Sequence, residues 1–566
     1  MWNYLLNQAA MVSRYVPMMA LALVAVVGAE SAWQQAPDPS HTHRPPPASQ
    51  PSAPGTRSPS VLELAKRPIA LGNGIGSAHD AVATTSKEAQ AFYDQGLAYL
   101  HSYWWLQAAR SFNQALAIDA SLGVAYAQLS LAYTELNAPA AAREALARAG
   151  TLAARAPEHD RLHIEARAAQ MASEDAGRDA GKLAGYRALL DRALARFPAD
   201  EELWLLRGLA ESQDPAERGQ GSVASSAPYY EKARAVAPAH FAAHHYLTHV
   251  YENTGRVREA LTEGATYAKM APGVPHARHM HGHSLRRAGR VEDAIAEFLA
   301  ADAIETEYFK TEGVPVEYDW HYQHNIDQLA TSYQYVGQMA KAEALLKRSF
   351  AISSALVQQE FNKREWPVYL LSRGRAREAL DAGTVMAGHR SSIVSAAGHV
   401  MVGEARLAIG EYRLAAGEAN TALRLMRAEP MGAGLVANAL QQLQGEFLLR
   451  TGQRGKARPM LEDLARKVRA APGPDNWTQA LFTLESIARS AREANDWDLA
   501  GWAANQMVEH DSNYAGSHYA LGLVAEHNGE TDRARAEFEL VRRYWKNGDA
   551  NLVELRDRQR TKPQND

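Results

Sequence analysis

The sequence predicts an all-α protein, a solenoid of stacked antiparallel helix pairs. Three observations predict it. From about Thr85 onward apolar residues recur at helical spacing, and strand-type alternation is almost absent. The chain is similar to itself at a period of about 34 residues. Within each period small and aromatic residues return at matching places, as at Gly96, Ala108 and Phe112 and again at Gly282, Ala294 and Phe298. One such pair cannot bury its apolar face alone, so neighbours must stack.

The N-terminus comes first. Arg14 precedes an apolar run from Val16 to Gly28, and the small residues Val27 and Ala29 suit cleavage after Ala29. Residues 1–29 therefore read as a signal peptide, with Met11 a better start for it than Met1. The chain is expected outside the cytoplasm, periplasmic or extracellular. It stays membrane-anchored if the signal is uncleaved, and the mature chain carries no membrane span. Residues 30–84 read as a Pro-rich disordered linker, with seven prolines from Pro37 to Pro54. His41 and His43 in that stretch read as incidental. LGNGIG at 71–76 lacks the strand-to-helix context of a nucleotide fingerprint and reads as a loop. At 85, Thr85 and Glu88 form a capping-box pattern that opens the first helix.

Composition narrows the chemistry. The net charge of −4 gives no basic field for nucleic acid, so no nucleic-acid partner is expected. The absence of cysteine removes disulfides, thiolate zinc sites, iron–sulfur clusters and a cysteine nucleophile. HExxH and GxSxG are absent.

The segment EAQAFYDQGLAYLHSYWWLQAARSFNQALAIDASL resembles a tetratricopeptide repeat, with Gly96, Tyr99, Ala108, Phe112 and Ala115 at the family's small and aromatic places. A second unit matches at Tyr126, Leu129, Tyr133, Ala142 and Ala149. A third runs from Phe241 with Gly255, Ala260 and Pro272. A fourth has Gly282, Gly289, Ala294, Phe298 and Ala301, and a fifth Ala330, Tyr333, Gly337 and Ala342. The last clear unit has His518, Gly522, Gly529, Ala534 and Phe538. Residues near 201–237, 366–389, 396–425, 438–468 and 477–510 match less well. The array is placed at 85–546, followed by a polar tail at 547–566. The resemblance implies a right-handed superhelix whose first helices line a concave groove. Residues 157–198 read as two helices with an off-phase connection, and 213–226 as an inserted loop. Thr306 to Tyr322 is rich in aromatics and is expected to fold over the groove.

Ten of the 21 histidines fall between His240 and His324, where an even spread would put about three. His245 and His249 are four apart, with Glu252 three further on; His276, His279 and His283 follow at three and four. Residues so spaced share one helix face. In tetratricopeptide proteins places two, five, nine, twelve and thirteen commonly face the groove. With repeats opening at Phe241, Pro275 and Gln323, the resemblance puts His245, His249, Glu252, His276, His279, His283, Arg286, His324, Asp327 and Gln334 there. Imidazole with carboxylate suits a transition metal, Zn²⁺, Cu²⁺, Fe²⁺ or Ni²⁺. His249, His279 and His283 rank first as ligands of one ion, then His245, Glu252, His276, His324 and Asp327. Arg286, Trp320, Tyr322 and Gln334 are candidates for ligand binding. His240, His244 and His281 fall on other faces, and His321 either joins the site or caps it.

Three functions fit this pattern. The first is an exported scaffold that binds a protein or peptide partner in its groove. The second is a metal-dependent hydrolase or oxygenase (non-haem iron, copper or zinc) with Glu252 or Asp327 as fourth ligand or general base. The third is a metal-binding or delivery protein without turnover.

Overall fold

The computed structural model describes residues 59–176, 179–212 and 223–556. The expected signal peptide, the linker up to residue 58 and the end of the tail lie outside these residues. So does 213–222 of the expected loop; after it a 3₁₀ turn, Ala224–Ser226, leads into the next helix.

Helices pair antiparallel along the chain, in the tetratricopeptide manner. Lys87–His101 packs on Trp105–Ile118, Gly123–Glu135 on Pro139–Ala153, and Ala242–Asn253 on Val257–Met270. Pro275–Arg287 packs on Val291–Glu312, and His321–Tyr335 on Met339–Ala351. The stretches that match the motif poorly form pairs as well, for example Ser392–Ala408 with Tyr412–Ala428 and Pro474–Glu493 with Trp497–His510. No helix among the described residues is long and apolar enough to cross a membrane.

The repeated glycine shows why the pairs close. A Cβ on Gly96 would lie 2.4 Å from the Phe112 ring, one on Gly282 2.7 Å from Phe298, and one on Gly522 2.0 Å from Phe538. Each glycine and its aromatic are 16 residues apart, on the two helices of one pair. The ring fills the space that only a missing side chain leaves, and both rings and backbones stay dry.

Three expectations are corrected here. The linker does not extend to residue 84: residues 59–84 pack on the first pair, with Leu64, Ala65 and Ala78 buried. These apolar side chains gain more by covering the open face of a terminal pair than by staying in water. The cap of Lys87–His101 is Ser86 and not Thr85: the Ser86 Oγ accepts from the Ala89 N–H at 3.2 Å, and Thr84 donates to Asp119 at 2.7 Å. The tail is not simply polar: Leu552 is buried, and Arg373 pairs with Glu554 at 2.7 Å.

The aromatic segment 306–322 behaves differently from a lid. Val291–Glu312 continues as one helix of 22 residues through the start of it, 306–312, and ends at the left-handed Gly313. Tyr308 meets the Trp104 ring at 4.9 Å, and Trp320 Nε1 donates to the Tyr103 carbonyl at 2.9 Å. The segment thus ties the fourth pair back to the first.

The superhelix also closes on its C-terminal side. Pro474–Glu493 contacts Pro275–Arg287. Gln328 Nε2 donates to Asp475 at 2.7 Å, Tyr335 Oη to Asp511 at 2.7 Å, and Trp545 Nε1 to the Tyr335 carbonyl at 2.9 Å. Between these elements lies a cavity of about 2190 Å³.

Candidate metal centre

Ala242–Asn253, Pro275–Arg287 and His321–Tyr335 stand side by side on one wall of the cavity. Each brings a stripe of imidazoles at helical spacing, and His249, His276, His279, His283 and His324 line the space directly.

The rings form two trios. In the first, His245 Nε2 lies 3.0 Å from His249 Nε2 and 3.0 Å from His276 Nε2. His245 Nδ1 donates to the His101 carbonyl at 2.7 Å, so its Nε2 presents a lone pair inward. A ligating imidazole is commonly fixed in this way, with its far nitrogen bound to a carbonyl. Tyr103 packs across the trio, 4.7 Å from His245 and 5.0 Å from His276 between ring centres. Its backbone is left-handed at φ 58°, a costly conformation for a tyrosine that the surrounding packing holds.

The second trio is His279, His283 and His324, with ring centres 4.3 Å apart for His279–His283 and 4.8 Å for His279–His324. Asn325 Nδ2 donates to the Phe298 carbonyl at 3.0 Å, which turns Asn325 Oδ1 toward His279. His279 Nδ1 therefore donates to Oδ1 at 3.0 Å, leaving its Nε2 lone pair inward. His279 Nε2 and both His283 nitrogens are buried without a hydrogen-bond partner. Each such atom costs about 1–3 kcal/mol unless something fills its lone pair or takes its proton. Asp475 lies 3.9 Å from both His283 and His324.

Burial holds these rings neutral. It pushes His249 down to about 3 and, with neighbouring imidazoles adding to it, pushes His245, His276, His279 and His283 well below the ordinary value. His324 is lowered by burial as well, against the pull of Asp475. Neutral imidazole is the form that ligates metal. Burial raises Glu252 to about 8; its Oε1 accepts from Ser284 at 3.0 Å, and its Oε2, without a partner, lies 3.9 Å from His283.

Elsewhere histidines meet carboxylates and behave oppositely. His159 is pushed up to about 12 by Asp160, Asp200 and Asp80. Burial opposes the charge on His163, but Asp200 and Asp80 outweigh it and lift it to about 9. These rings are imidazolium partners in an ion-pair cluster. His101 and His240 both donate to Glu202, at 2.9 and 3.0 Å, and hold its carboxyl well below the usual range despite burial.

Other expected site residues sit apart from the trios. Asp327 is buried beside Ser349 and Glu365, does not line the cavity, and is raised by burial well above the ordinary value. Arg286 is fully enclosed and donates to Thr331 at 3.1 Å and Gln328 at 2.6 Å, so it braces two helices and is not offered to a ligand. Tyr322 packs on Phe309 at 5.1 Å and under Arg348 at 5.6 Å, away from the cavity. Trp320 and Gln334 do line the cavity. His249 belongs to one trio and His279 with His283 to the other, so the three top-ranked ligands do not converge on one point. His244 and His281 pair with Glu263 and Glu297, on other faces. His321 Nδ1 meets Glu305 at 2.5 Å beside both trios.

Asn325, Asp475, Tyr103 and the His101 carbonyl escaped the sequence reading. Asn325 stands next to His324, and its role as an acceptor for His279 had no sequence signal. Asp475 comes from a helix about 150 residues away in the chain, and only closure of the superhelix brings it here.

No family model matches the chain, and no curated protein matches it. Among solved structures, the human IFIT1 dimer with PPP-AAAA is similar at 13% identity, over 74% of this chain and 90% of that one, with a TM-score of 0.38. The P58(IPK) TPR domain is similar at 12% identity, over 78% and 99%, with a TM-score of 0.20. A second human IFIT1 dimer, with m7Gppp-AAAA, is similar at 12% identity, over 82% and 91%, with a TM-score of 0.34. Likeness at this level speaks to neither ligand nor chemistry, so both are argued from the residues of this chain.

Proposed function

We propose that this chain is an exported tetratricopeptide-like scaffold that holds a transition-metal ion on the wall of its cavity and receives a peptide or small ligand there. One observation carries the reading. His245 Nε2 presents its lone pair at 3.0 Å from two further imidazole nitrogens, in a pocket where burial keeps the rings uncharged. Three nitrogens around an ion with bonds of about 2.0–2.1 Å stand a little over 3 Å apart. An all-imidazole set suits Zn²⁺, Cu²⁺ or Fe²⁺ and has no preference for Ca²⁺ or Mg²⁺.

The cavity supplies room for the second half of the reading. It is lined by both Arg364 and Arg373 and by Glu365 and Glu485, which suits a chain with ends and side chains of both signs better than a polyphosphate. Isothermal titration of Zn²⁺ into chelator-treated protein is the test. Tight binding that His245→Gln weakens by 10-fold or more supports the reading, whereas an unchanged titration ends it.

A metal-dependent hydrolase or oxygenase on the same wall is the second reading, favoured by Glu252. Its carboxyl is buried beside His283 and raised by burial to about 8, which suits a general acid at neutral pH and not the general base expected from the sequence. Glu252→Gln that keeps the metal but abolishes hydrolysis of p-nitrophenyl acetate, or dioxygen uptake, separates catalysis from binding.

A further inference from the structure

We propose that the wall holds two transition-metal ions, the second bound by His279, His283 and His324 and completed by Asp475. The inference rests on the metal reading of the first trio and adds a separate site with a different donor set.

The two trios are not one large cluster. His321 stands beside both, its ring centre 5.0 Å from His276 and 4.6 Å from His279, which are 5.8 Å from each other, and its Nδ1 is held by Glu305. The nitrogens of His245, His249 and His276 lie within 4.8 Å of one another and those of His279, His283 and His324 likewise, so each set has its own point of convergence. In the second trio one nitrogen from each ring lies within 4.8 Å of the others. Donors on a tetrahedral ion with bonds of about 2.0–2.1 Å stand a little over 3 Å apart, so the set closes once the rings shift inward by up to about 0.7 Å on each side.

The second trio is built for ligation independently of the first. Its key nitrogen, His279 Nε2, is aimed inward by Asn325, whose own orientation is fixed by the Phe298 carbonyl. His279 Nε2 and both nitrogens of His283 are buried and have no partner. Asp475 completes the geometry. It stands 3.9 Å from the nearest nitrogens of His283 and His324, too far for a hydrogen bond but within reach of a shared ion. Gln328 donates to its Oδ1 at 2.7 Å and holds it in place. A set of three imidazoles and one carboxylate suits a divalent first-row ion such as Zn²⁺ or Fe²⁺.

Because Asp475 belongs to Pro474–Glu493 and the histidines to Pro275–Arg287 and His321–Tyr335, this ion joins the two sides of the closed superhelix. The first ion lies wholly on one side.

Equilibrium dialysis of the full chain against Zn²⁺, followed by elemental analysis, tests the proposal. The expected result is two ions per chain. His324→Gln and His245→Gln should each leave one, and Asp475→Asn should weaken one ion by 10-fold or more while sparing the other. His281→Gln, outside both trios, should leave two, and circular dichroism should show the helical content of every variant unchanged. If His324→Gln fails to fold, the stoichiometry of the unaltered chain still decides. One ion per chain, lost in His245→Gln and kept in His324→Gln, overturns the second site and leaves the first reading standing. Loss of all metal in either variant alone also overturns it, since the trios would then share one ion. No metal in the unaltered chain overturns both.

Discussion

His163 lies 2.8 Å from Asp200 and is fully buried, while His279 is just as buried and meets an amide oxygen. The partner decides the charge. Burial opposes the charge on both: at His163 Asp200 and Asp80 outweigh it and lift the value to about 9, and at His279 neighbouring imidazoles add to it and the value falls well below the ordinary one. The raised value has a stability consequence with a definite sign. An imidazole whose folded value exceeds its unfolded value of about 6.5 stabilises the fold fully below that pH and loses the contribution as pH rises through the folded value. The shift from 6.5 to about 9 corresponds to a contribution on the order of 3 kcal/mol. His163→Gln should therefore lower the melting temperature clearly at pH 6, and the gap to the unaltered chain should close by about pH 10. A gap that is constant with pH would show that packing, not charge, is what His163 supplies. The neutral rings give a different residue-scale prediction. Asn325→Ala removes the acceptor that fixes the His279 tautomer, and loss of such an outer partner commonly costs 10–100-fold in metal affinity. Zn²⁺ titration of Asn325→Ala should show one weakened ion, with helical content retained.

At the scale of the helix pair, stability depends on contacts that a single methyl group disturbs. Gly282 faces the Phe298 ring, and that ring in turn packs 5.4 Å from His279, so the pair contact and the second trio share one wall. Gly282→Ala should cost about 1–3 kcal/mol through overpacking, read as a lower denaturant midpoint. Gly150 is the control: it is helical, and a Cβ there meets nothing within 4 Å. Gly150→Ala should stabilise by about 0.5–1 kcal/mol. Equal effects of the two substitutions would refute the packing account. This scale was also the most legible in the sequence. The glycine–aromatic spacing marked the strong repeats, and the phase they set put His249, His276, His279, His283 and His324 on the cavity wall. Phase says which face a residue takes, but not what stands opposite it. Asp327 carried the right phase number and still met Ser349 of the paired helix Met339–Ala351. Arg286 was read as a ligand contact and became a strut, since Thr331 and Gln328 approach from the adjacent pair.

For the whole molecule, the decisive feature is closure, which no local pattern encodes. Asp475, Asp511 and Trp545 meet the middle repeats only because many small rotations between pairs add up over the array. The Trp545 ring sits over Gly337, where a Cβ would come within 2.7 Å, and its Nε1 bond to the Tyr335 carbonyl fastens the last pair to the fifth. Truncating a buried tryptophan costs about 3–5 kcal/mol, but here the loss falls on one seam and not on the pairs themselves. In a solenoid each pair is held by its neighbours, so the helices should persist while the seam opens. Trp545→Ala should accordingly keep its circular dichroism signal, gain radius of gyration in small-angle scattering, and bind the ion shared with Asp475 more weakly. The ion of the first trio, whose donors all come from one side of the seam, should bind as before. A compact Trp545→Ala with both ions unaltered would mean that the Pro474–Glu493 contact closes the superhelix without help from the C-terminal pair.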